Sequence, residues 1–307
     1  MEDTLQEGAT LRGSEHSYEL QRELGRGEAS ATFLAQREDG QPVALKALLI
    51  GQLGKWDEHE QLEREIALLR ALDHPHIPDY LDHMKLGDDP DAPTGLALVQ
   101  EHVDGVGLDR VLAGERRLDP GQMMSWLTQL LEALAYLHQL SPPVVHGGIS
   151  PKKILLREDG TAFLVGFGSA GEGELGYTAP EQHVEAAGAG SDLFGLAMTF
   201  LAVAAGEEAS ALPQVGAQVD VKAAARLDAR VAQLLQRMLE PDPACRLDDA
   251  RVALEQLRPL RGRYAEREGV QAPAMQQVAA QLQAEHITAG RPRVASDELL
   301  PSERIRE

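Results

Sequence analysis

The segment from Val144 to Leu156 constrains the fold of this chain more than any other stretch. It reads Val-Val-His-Gly-Gly-Ile-Ser-Pro-Lys-Lys-Ile-Leu-Leu. Two β-branched residues come first, a polar loop with glycines and a proline follows, and a short apolar run ends the segment. This order predicts the end of one strand, a buried loop and the start of the next strand. The polar residues of that loop are therefore the first candidates for a functional site.

Composition narrows the classes of partner. The chain has 307 residues and 43% apolar content, enough for one two-lobed domain or two small ones. Its formal net charge of −20 repels polyanions, so we expect no nucleic-acid partner. The longest apolar run, Leu193 to Ala205, is shorter than the roughly 17 to 20 residues of a spanning helix, which predicts no membrane insertion. The single cysteine, Cys245, fits a reducing compartment, and the expected location is therefore cytoplasmic.

The loop between Val144 and Leu156 resembles the catalytic loop of eukaryotic-type protein kinases, a family with bacterial Ser/Thr members. The family pattern is H-R-D-L-K-P-x-N before an apolar strand, and His146 and Pro151 match it. Gly148 stands where the family has the aspartate that accepts the substrate hydroxyl proton. Lys153 stands where the family has the asparagine that holds a metal ion. The resemblance implies that the frame of the loop is kept while its catalytic residues are replaced.

Further motifs of the same family occur in order in the first part of the chain. Gly25 and Gly27 resemble the start of the glycine-rich loop that covers nucleotide phosphates, and a tight β-turn is the alternative explanation. Glu28 adds a carboxylate beside the expected phosphates, which argues against tight ATP binding. Lys46 matches the lysine of V-A-I-K, and Glu65 matches the helix glutamate that pairs with it. Such an ion pair serves nucleotide binding or, as the alternative, only holds the helix on the sheet.

The second part of the chain keeps the family's structural residues and loses another metal ligand. Gly166 opens a Gly-Phe-Gly triplet where kinases have D-F-G, whose aspartate chelates magnesium. Glu181 ends a run like the family's A-P-E, and with Arg246 it matches a structural ion pair. Asp192 corresponds to the aspartate that holds the catalytic loop backbone. The residues that align kinase lobes by stacking correspond to Leu69, Tyr80, His146, Phe167 and Asp192.

These motifs predict an α+β class and a bilobal protein-kinase-like fold. We expect a flexible leader over residues 1–16 and a protein-kinase-like domain over 17–260. Its small antiparallel N-lobe with one helix would cover about 17–101, and its larger, mainly helical C-lobe about 102–260. Residues 261–307 are expected to hold a short amphipathic helix and a disordered tail.

The three replaced positions lead to a functional hypothesis. The sequence predicts a pseudokinase, which is a non-enzymatic regulatory or scaffolding protein that binds a protein partner and transfers no phosphoryl group. The alternative is a weakly active or atypical ATP-dependent protein serine/threonine kinase rescued by Glu172 or Glu174, or another nucleotide transferase that holds ATP differently. A structural protein without any ligand is the third hypothesis.

The replacements also change the charge of the expected nucleotide cleft. Gly148 and Gly166 each remove a negative charge and Lys153 adds a positive one, so the cleft floor is three units more positive than in an active kinase. We therefore expect ATP or another nucleotide to bind weakly and independently of magnesium, and no metal ion to be held. The expected nucleotide contacts are Gly25, Gly27, Lys46, Glu65 and Lys153.

Overall fold

The structure is a computed structural model that describes most of the chain before residue 269. The described residues are 5–27, 30–49, 66, 69–87, 94–114, 119–167, 174–184 and 187–268. The predicted N-lobe helix that carries Glu65 therefore lies largely outside the described residues. Of the region 261–307, predicted to hold a short helix and a tail, residues 261–268 are described as the end of a longer helix, and the rest lies outside the described residues.

A six-stranded antiparallel sheet forms the N-lobe, with strand order β1-β2-β3-β4-β6-β5. Alternation of buried and half-buried residues in β3 follows the two-residue period of a strand. The two central strands are joined by a turn in which Gly40 has φ of +91°, a conformation that glycine adopts without strain. The predicted N-lobe sheet is thus confirmed. The strands are β1 Thr10–Arg12, β2 Ser17–Arg26, β3 Ser30–Arg37, β4 Pro42–Leu49, β5 Tyr80–Leu86 and β6 Gly95–Glu101.

The predicted leader is structured from residue 5 onward, so the expectation of a flexible segment over 1–16 is wrong for that part. Thr10–Arg12 pair with β2 and extend the sheet by one strand. Leu5 and Leu11 are buried in the same hydrophobic cluster as Phe33 and Val99. Burial of these leucines supplies the stabilisation that the polar composition of the segment did not suggest.

The C-lobe is built from helices around one almost completely buried helix. In α2 (Pro120–Gln139) the Asp119 side chain accepts a hydrogen bond from the Gly121 amide at 2.6 Å, as its sequence predicts. The next long helix, α3 (Ala189–Ala205), is buried from Ser191 to Val203, which explains why it is apolar on nearly all sides. The helices are α1 Leu108–Ala113, α2 Pro120–Gln139, α3 Ala189–Ala205, α4 Val221–Ala224, α5 Ala229–Met238 and α6 Ala250–Glu268.

Two small sheets complete the described C-lobe. The strands β7 (Val106–Gly107), β8 (Ile154–Leu156) and β9 (Ala162–Leu164) form one sheet, and β10 (Gln214–Val215) pairs with β11 (Gln218–Val219). The loop before β8 is the segment that the sequence singled out. The helix α6 runs through the predicted domain boundary at residue 260. Among the helices that the structure describes, none is long and apolar enough to cross a membrane.

Candidate functional site

Asp192 of α3 holds the loop that resembles a catalytic loop. Its carboxylate is 1% exposed and accepts hydrogen bonds from the backbone amides of His146 at 2.9 Å and Gly147 at 2.8 Å. The Nε2 atom of His138 lies 2.9 Å from the same carboxylate. One buried side chain thus fixes two consecutive amides, and the position expected for Asp192 is the observed one.

His146 contacts two of the other residues expected to stack, Asp192 and Phe167. Its ring lies 4.8 Å from the Phe167 ring, and its Nε2 atom lies 3.1 Å from the Val165 carbonyl oxygen. Its Nδ1 atom accepts a hydrogen bond from the Gly148 amide at 3.3 Å, so Nε2 carries the proton. Burial lowers the pKa of His146 below its ordinary value, and the charges of Lys153 and Lys46 lower it further against the opposing effect of Asp192.

Stability is expected to fall as the pH drops through about 6.5, the pKa of an unperturbed histidine. Burial lowers the pKa of His74, His102 and His146 in the folded state, so the unfolded chain binds more protons in this range. Each histidine then reduces the free energy of unfolding by at most ~1.4 kcal/mol per pH unit. Urea unfolding at about pH 7.5 and about pH 5.5 measures the loss, and equal or greater stability at the lower pH would contradict it.

Gln182 is a site residue that sequence reasoning missed. Its Nε2 atom donates to the Gly147 carbonyl oxygen at 2.8 Å, and its Oε1 atom accepts from the Ala179 amide at 3.0 Å. It therefore joins the Thr-Ala-Pro-Glu run to the loop. The contact is made at Gly147, where the family has an arginine. Gly147 has φ of +74°, which glycine adopts without strain. The contact spans 35 residues of sequence, so no local pattern signals it.

The side chain of Lys153 lies directly over Gly166. A Cβ atom placed on Gly166 would lie 2.7 Å from Lys153 Cδ and 2.9 Å from its Nζ. The two residues are neighbours because the Val165 amide donates to the Lys153 carbonyl oxygen at 2.9 Å. Gly166 has φ of +82°. The lysine therefore fills space that the side chain of a D-F-G aspartate would need, and the two replacements are structurally coupled.

Lys46 reaches the same part of the cleft from β4. Its Nζ atom donates to the Phe167 carbonyl oxygen at 2.9 Å. Of the other expected nucleotide contacts, Gly25 pairs with Thr32 of β3, and the Gly27 amide donates to the Ser30 carbonyl oxygen at 2.8 Å. The predicted Lys46 partner, Glu65, lies outside the described residues. The structure thus brings Lys46 and Lys153 together beside Gly166 and Phe167.

These residues do not fit a magnesium ion. Magnesium is held by carboxylate, carbonyl and phosphate oxygens, and Lys153 and Gly166 offer neither a carboxylate nor an amide side chain. Within the described part of the chain, no group of three or more histidine, cysteine, aspartate or glutamate side chains could hold a metal ion. The cleft floor instead carries ammonium groups.

Two ion pairs hold the segment that follows the cleft. Arg246, whose side chain is fully buried, donates to both carboxylate oxygens of Glu181, at 2.5 and 2.8 Å. This is the pair that the sequence predicted. Lys152 pairs with Glu174 at 2.6 Å and links the loop to the segment that leads to Glu181. Of the two glutamates proposed as a rescue, Glu174 is thus tied to the loop, while Glu172 lies outside the described residues.

The fold and the cleft define a protein of the kinase class, and comparison with known families establishes the same membership. The model of the family described as Protein kinase domain matches residues 18–257. The chain therefore belongs to the protein kinase domain family.

Solved structures and curated relatives agree with this membership. Crystal structures of the Mycobacterium tuberculosis PknI kinase domain share the fold, with a TM-score of 0.66 and 25% identity over 85% of this chain and 99% of that one. Aurora kinase A-A of Xenopus laevis is 32% identical over 53% of this chain and 38% of its own length. Serine/threonine-protein kinase PkaB of Streptomyces coelicolor is 34% identical over 45% of this chain and 31% of its own length. The chain therefore spans only about a third of the length of these two relatives.

The comparisons contradict the expectation that the chain is not an enzyme. The matched family is that of protein kinase domains, and the two relatives are named as kinases, one of them as a serine/threonine-protein kinase; both findings point to an enzyme. The replacements at Gly148, Lys153 and Gly166 show which catalytic groups are missing. They do not show whether other groups take over those roles, so they were a poor guide to whether the chain is an enzyme. Of the hypotheses from sequence, the atypical ATP-dependent kinase is better supported than the pseudokinase.

Proposed function

We propose that this chain is an atypical, slow ATP-dependent protein serine/threonine kinase that holds nucleotide phosphates with lysine ammonium groups. The observation that carries the proposal is the position of Lys153 over Gly166, where the family has a metal-binding carboxylate. Membership of the kinase family and the names of the relatives support the reaction class. We place the reaction in the cytoplasm, where ATP is available.

The charges on the cleft floor support binding of phosphates without magnesium. Lys46 contacts Phe167 and Lys153 covers Gly166, so both lysine side chains lie beside the Gly166–Phe167 dipeptide. At an effective dielectric constant near 20, an ammonium group about 4 Å from a phosphate oxygen gains on the order of 4 kcal/mol before desolvation. Two lysines therefore offset part of the phosphate repulsion that metal ions neutralise in other kinases.

The expected transfer is slow because Gly148 supplies no carboxylate. A hydroxyl oxygen of the acceptor forms the new bond to phosphorus, ADP leaves, and the hydroxyl proton passes to solvent or to Glu174. Phosphoryl transfer depends mainly on positioning and electrostatics, so the loss of a base slows the reaction without abolishing it. With typical kinase rates of about 1 to 100 s⁻¹ and a base worth roughly 10²- to 10⁴-fold, turnover is on the order of 10⁻⁴ to 1 s⁻¹.

Transfer of radioactive phosphate from γ-labelled ATP tests this function. We expect slow labelling of the chain itself or of a Ser/Thr-rich protein such as casein, in EDTA as well as in magnesium. Labelling should be lost in Lys46→Ala and at least tenfold slower in Lys153→Asn, a change of about 1.4 kcal/mol or more in the barrier. Lys222→Ala, which removes an exposed lysine from α4, is the matched control and should label like the parent.

Two results would overturn the proposed function. One is the absence of labelling under every condition with nucleotide in excess. The other is labelling that survives unchanged in Lys46→Ala, since this would identify a contaminating kinase as its source.

A further inference from the structure

The loop before β8 meets the segment that leads to Glu181 at two points. Gln182 Nε2 donates to the Gly147 carbonyl oxygen at 2.8 Å, and Lys152 Nζ donates to Glu174 Oε1 at 2.6 Å. Gly148 comes between these two contacts along the loop. It is half-buried, whereas the residues on either side of it are buried. The segment therefore holds a carboxylate beside the open part of a loop that has lost its own.

The backbone of Glu174 is fixed by a turn, while its side chain keeps freedom to move. Its carbonyl oxygen accepts hydrogen bonds from the Tyr177 amide at 3.0 Å and from the Thr178 hydroxyl at 3.2 Å. The side chains of Glu174 and Lys152 are 33% and 63% exposed. Because neither group of this ion pair is enclosed, the carboxylate can leave the ammonium group and contact a bound substrate.

Two other carboxylates act on Lys152, but both are directed away from the loop. The hydrogen bond to Glu174 raises the pKa of Lys152, desolvation opposes this, and the charges of Glu174, Asp109 and Glu208 add to it. The Glu208 carboxylate accepts a hydrogen bond from the Tyr177 hydroxyl at 3.0 Å. The Oδ1 atom of Asp109 lies over the glycine that precedes α1. Of these three carboxylates, Glu174 is the one that is bonded to the loop.

One turn of the loop separates the two lysines that follow Pro151. Residues Pro151–Lys153 form a short 3₁₀-helix, in which successive side chains point about 120° apart. Lys153 lies over Gly166, where the proposed function places the nucleotide phosphates. Lys152 instead contacts Glu174. An acceptor hydroxyl that approaches this turn therefore has the phosphates on one side and a carboxylate on the other.

We propose that Glu174 is the catalytic base of the phosphoryl transfer, in the role that Gly148 cannot perform, and that Lys152 is the positioning residue that holds its carboxylate at the loop. The assignment rests on the proposed function, because it names the group that accepts the proton in that reaction. The acceptor oxygen forms a bond to the γ-phosphorus, the bond from that phosphorus to the bridging oxygen breaks, and ADP leaves with the electron pair. The hydroxyl proton passes to Glu174 and then to solvent. Transfer stays slow, because Glu174 has to leave an ion pair before it accepts the proton.

Transfer from γ-labelled ATP to casein by the full chain tests the base. General bases contribute roughly 10²- to 10⁴-fold, so we expect Glu174→Gln to lower the rate at saturating ATP at least tenfold and to leave the KM for ATP within about twofold. Sodium formate, a small carboxylate, should restore part of the rate of Glu174→Ala, because it can accept the proton in place of the missing side chain. Glu207→Gln, which changes an exposed glutamate, is the matched control and should transfer like the parent.

Variants of Lys152 test the positioning role. Lys152→Met removes the donor that holds the carboxylate and should lower the rate at saturating ATP severalfold. Lys152→Arg keeps a donor and should stay within about twofold of the parent. Urea unfolding of each variant at the parent's urea concentration separates these effects from a loss of folding.

The outcomes distinguish this assignment from the proposed function. If the parent transfers phosphate and Glu174→Gln does so at the same rate, Glu174 is not the base, while the proposed function stands. A slow Glu174→Ala that formate does not accelerate would also overturn the assignment, because the carboxylate then acts through structure alone. If the parent transfers no phosphate under any condition, the proposed function fails and the assignment fails with it.

Discussion

Replacement of Asp192 by alanine is expected to lower the free energy of unfolding by about 2 to 6 kcal/mol. Two buried amides lose the carboxylate that accepts their hydrogen bonds, and each unsatisfied group costs about 1 to 3 kcal/mol. The two amides are those of His146 and Gly147. The change also leaves His138 without the carboxylate that lies 2.9 Å away. Since total stability of a domain is only about 5 to 15 kcal/mol, this variant is expected to be close to unfolding.

Urea unfolding measures this loss, with Glu207→Ala as the control. Glu207 is exposed, and its replacement should change stability by no more than about 0.5 kcal/mol. Phe167→Ala provides an independent check of the same frame, because it removes a buried ring from the face of His146 at an expected cost of about 3 to 5 kcal/mol. If both variants unfold at the parent's urea concentration, Asp192 and Phe167 do not stabilise the loop as described.

The fold was predictable from sequence where local signals and motif order agree. The strands β2 to β4 follow alternating burial and a glycine turn, and α2 follows Asp119 and Pro120. The family motifs then identified Asp192 and the Glu181–Arg246 pair from the sequence alone, because the motifs occur along this chain in the family's order. The observed contacts confirm these positions.

Contacts between distant segments were not predictable in the same way. Residues 5–16 have a polar composition, and the burial of Leu5 and Leu11 depends on a sheet formed by later strands. The bond from Gln182 to Gly147 likewise needs two loops to meet. In both cases the stabilising partner is remote in sequence, so local composition and periodicity do not indicate the contact.

The candidate site shows the same limit in its chemistry. Sequence identified Lys153 and Gly166 as two separate losses of a metal ligand. The structure shows that the lysine occupies the space beside the glycine, so the two changes form one arrangement. Whether a missing residue abolishes a reaction depends on what fills its place, and that is a question of geometry.

Exchange of both residues together, Lys153→Asn with Gly166→Asp, is expected to make nucleotide binding depend on magnesium. The double variant restores the amide and the carboxylate that hold metal ions in the family and removes the ammonium group that stands in their place. Gly166→Asp alone should be destabilised, because its Cβ atom would meet Lys153 Cδ at 2.7 Å and its φ of +82° is strained for any other residue, at about 1 to 3 kcal/mol. The second replacement removes the Cε and Nζ atoms of the lysine from beside the new side chain but does not remove the φ strain, so the double variant should recover part of that loss.

Thermal melting with ATP, in EDTA and in excess magnesium, distinguishes the two modes of binding. At about 100 times Kd a nucleotide stabilises the folded state by about 2.7 kcal/mol, which raises the Tm of a chain of this size by several degrees. The parent should show that rise in EDTA, and Lys153→Asn should lose it. Glu28 lies outside the described residues, and Glu28→Gly should enlarge the rise because the sequence predicts its carboxylate beside the phosphates. The double variant should show it only with magnesium. A rise in the parent that requires magnesium would refute the role assigned to Lys153, since an ammonium group that replaces the metal cannot need the metal in order to act.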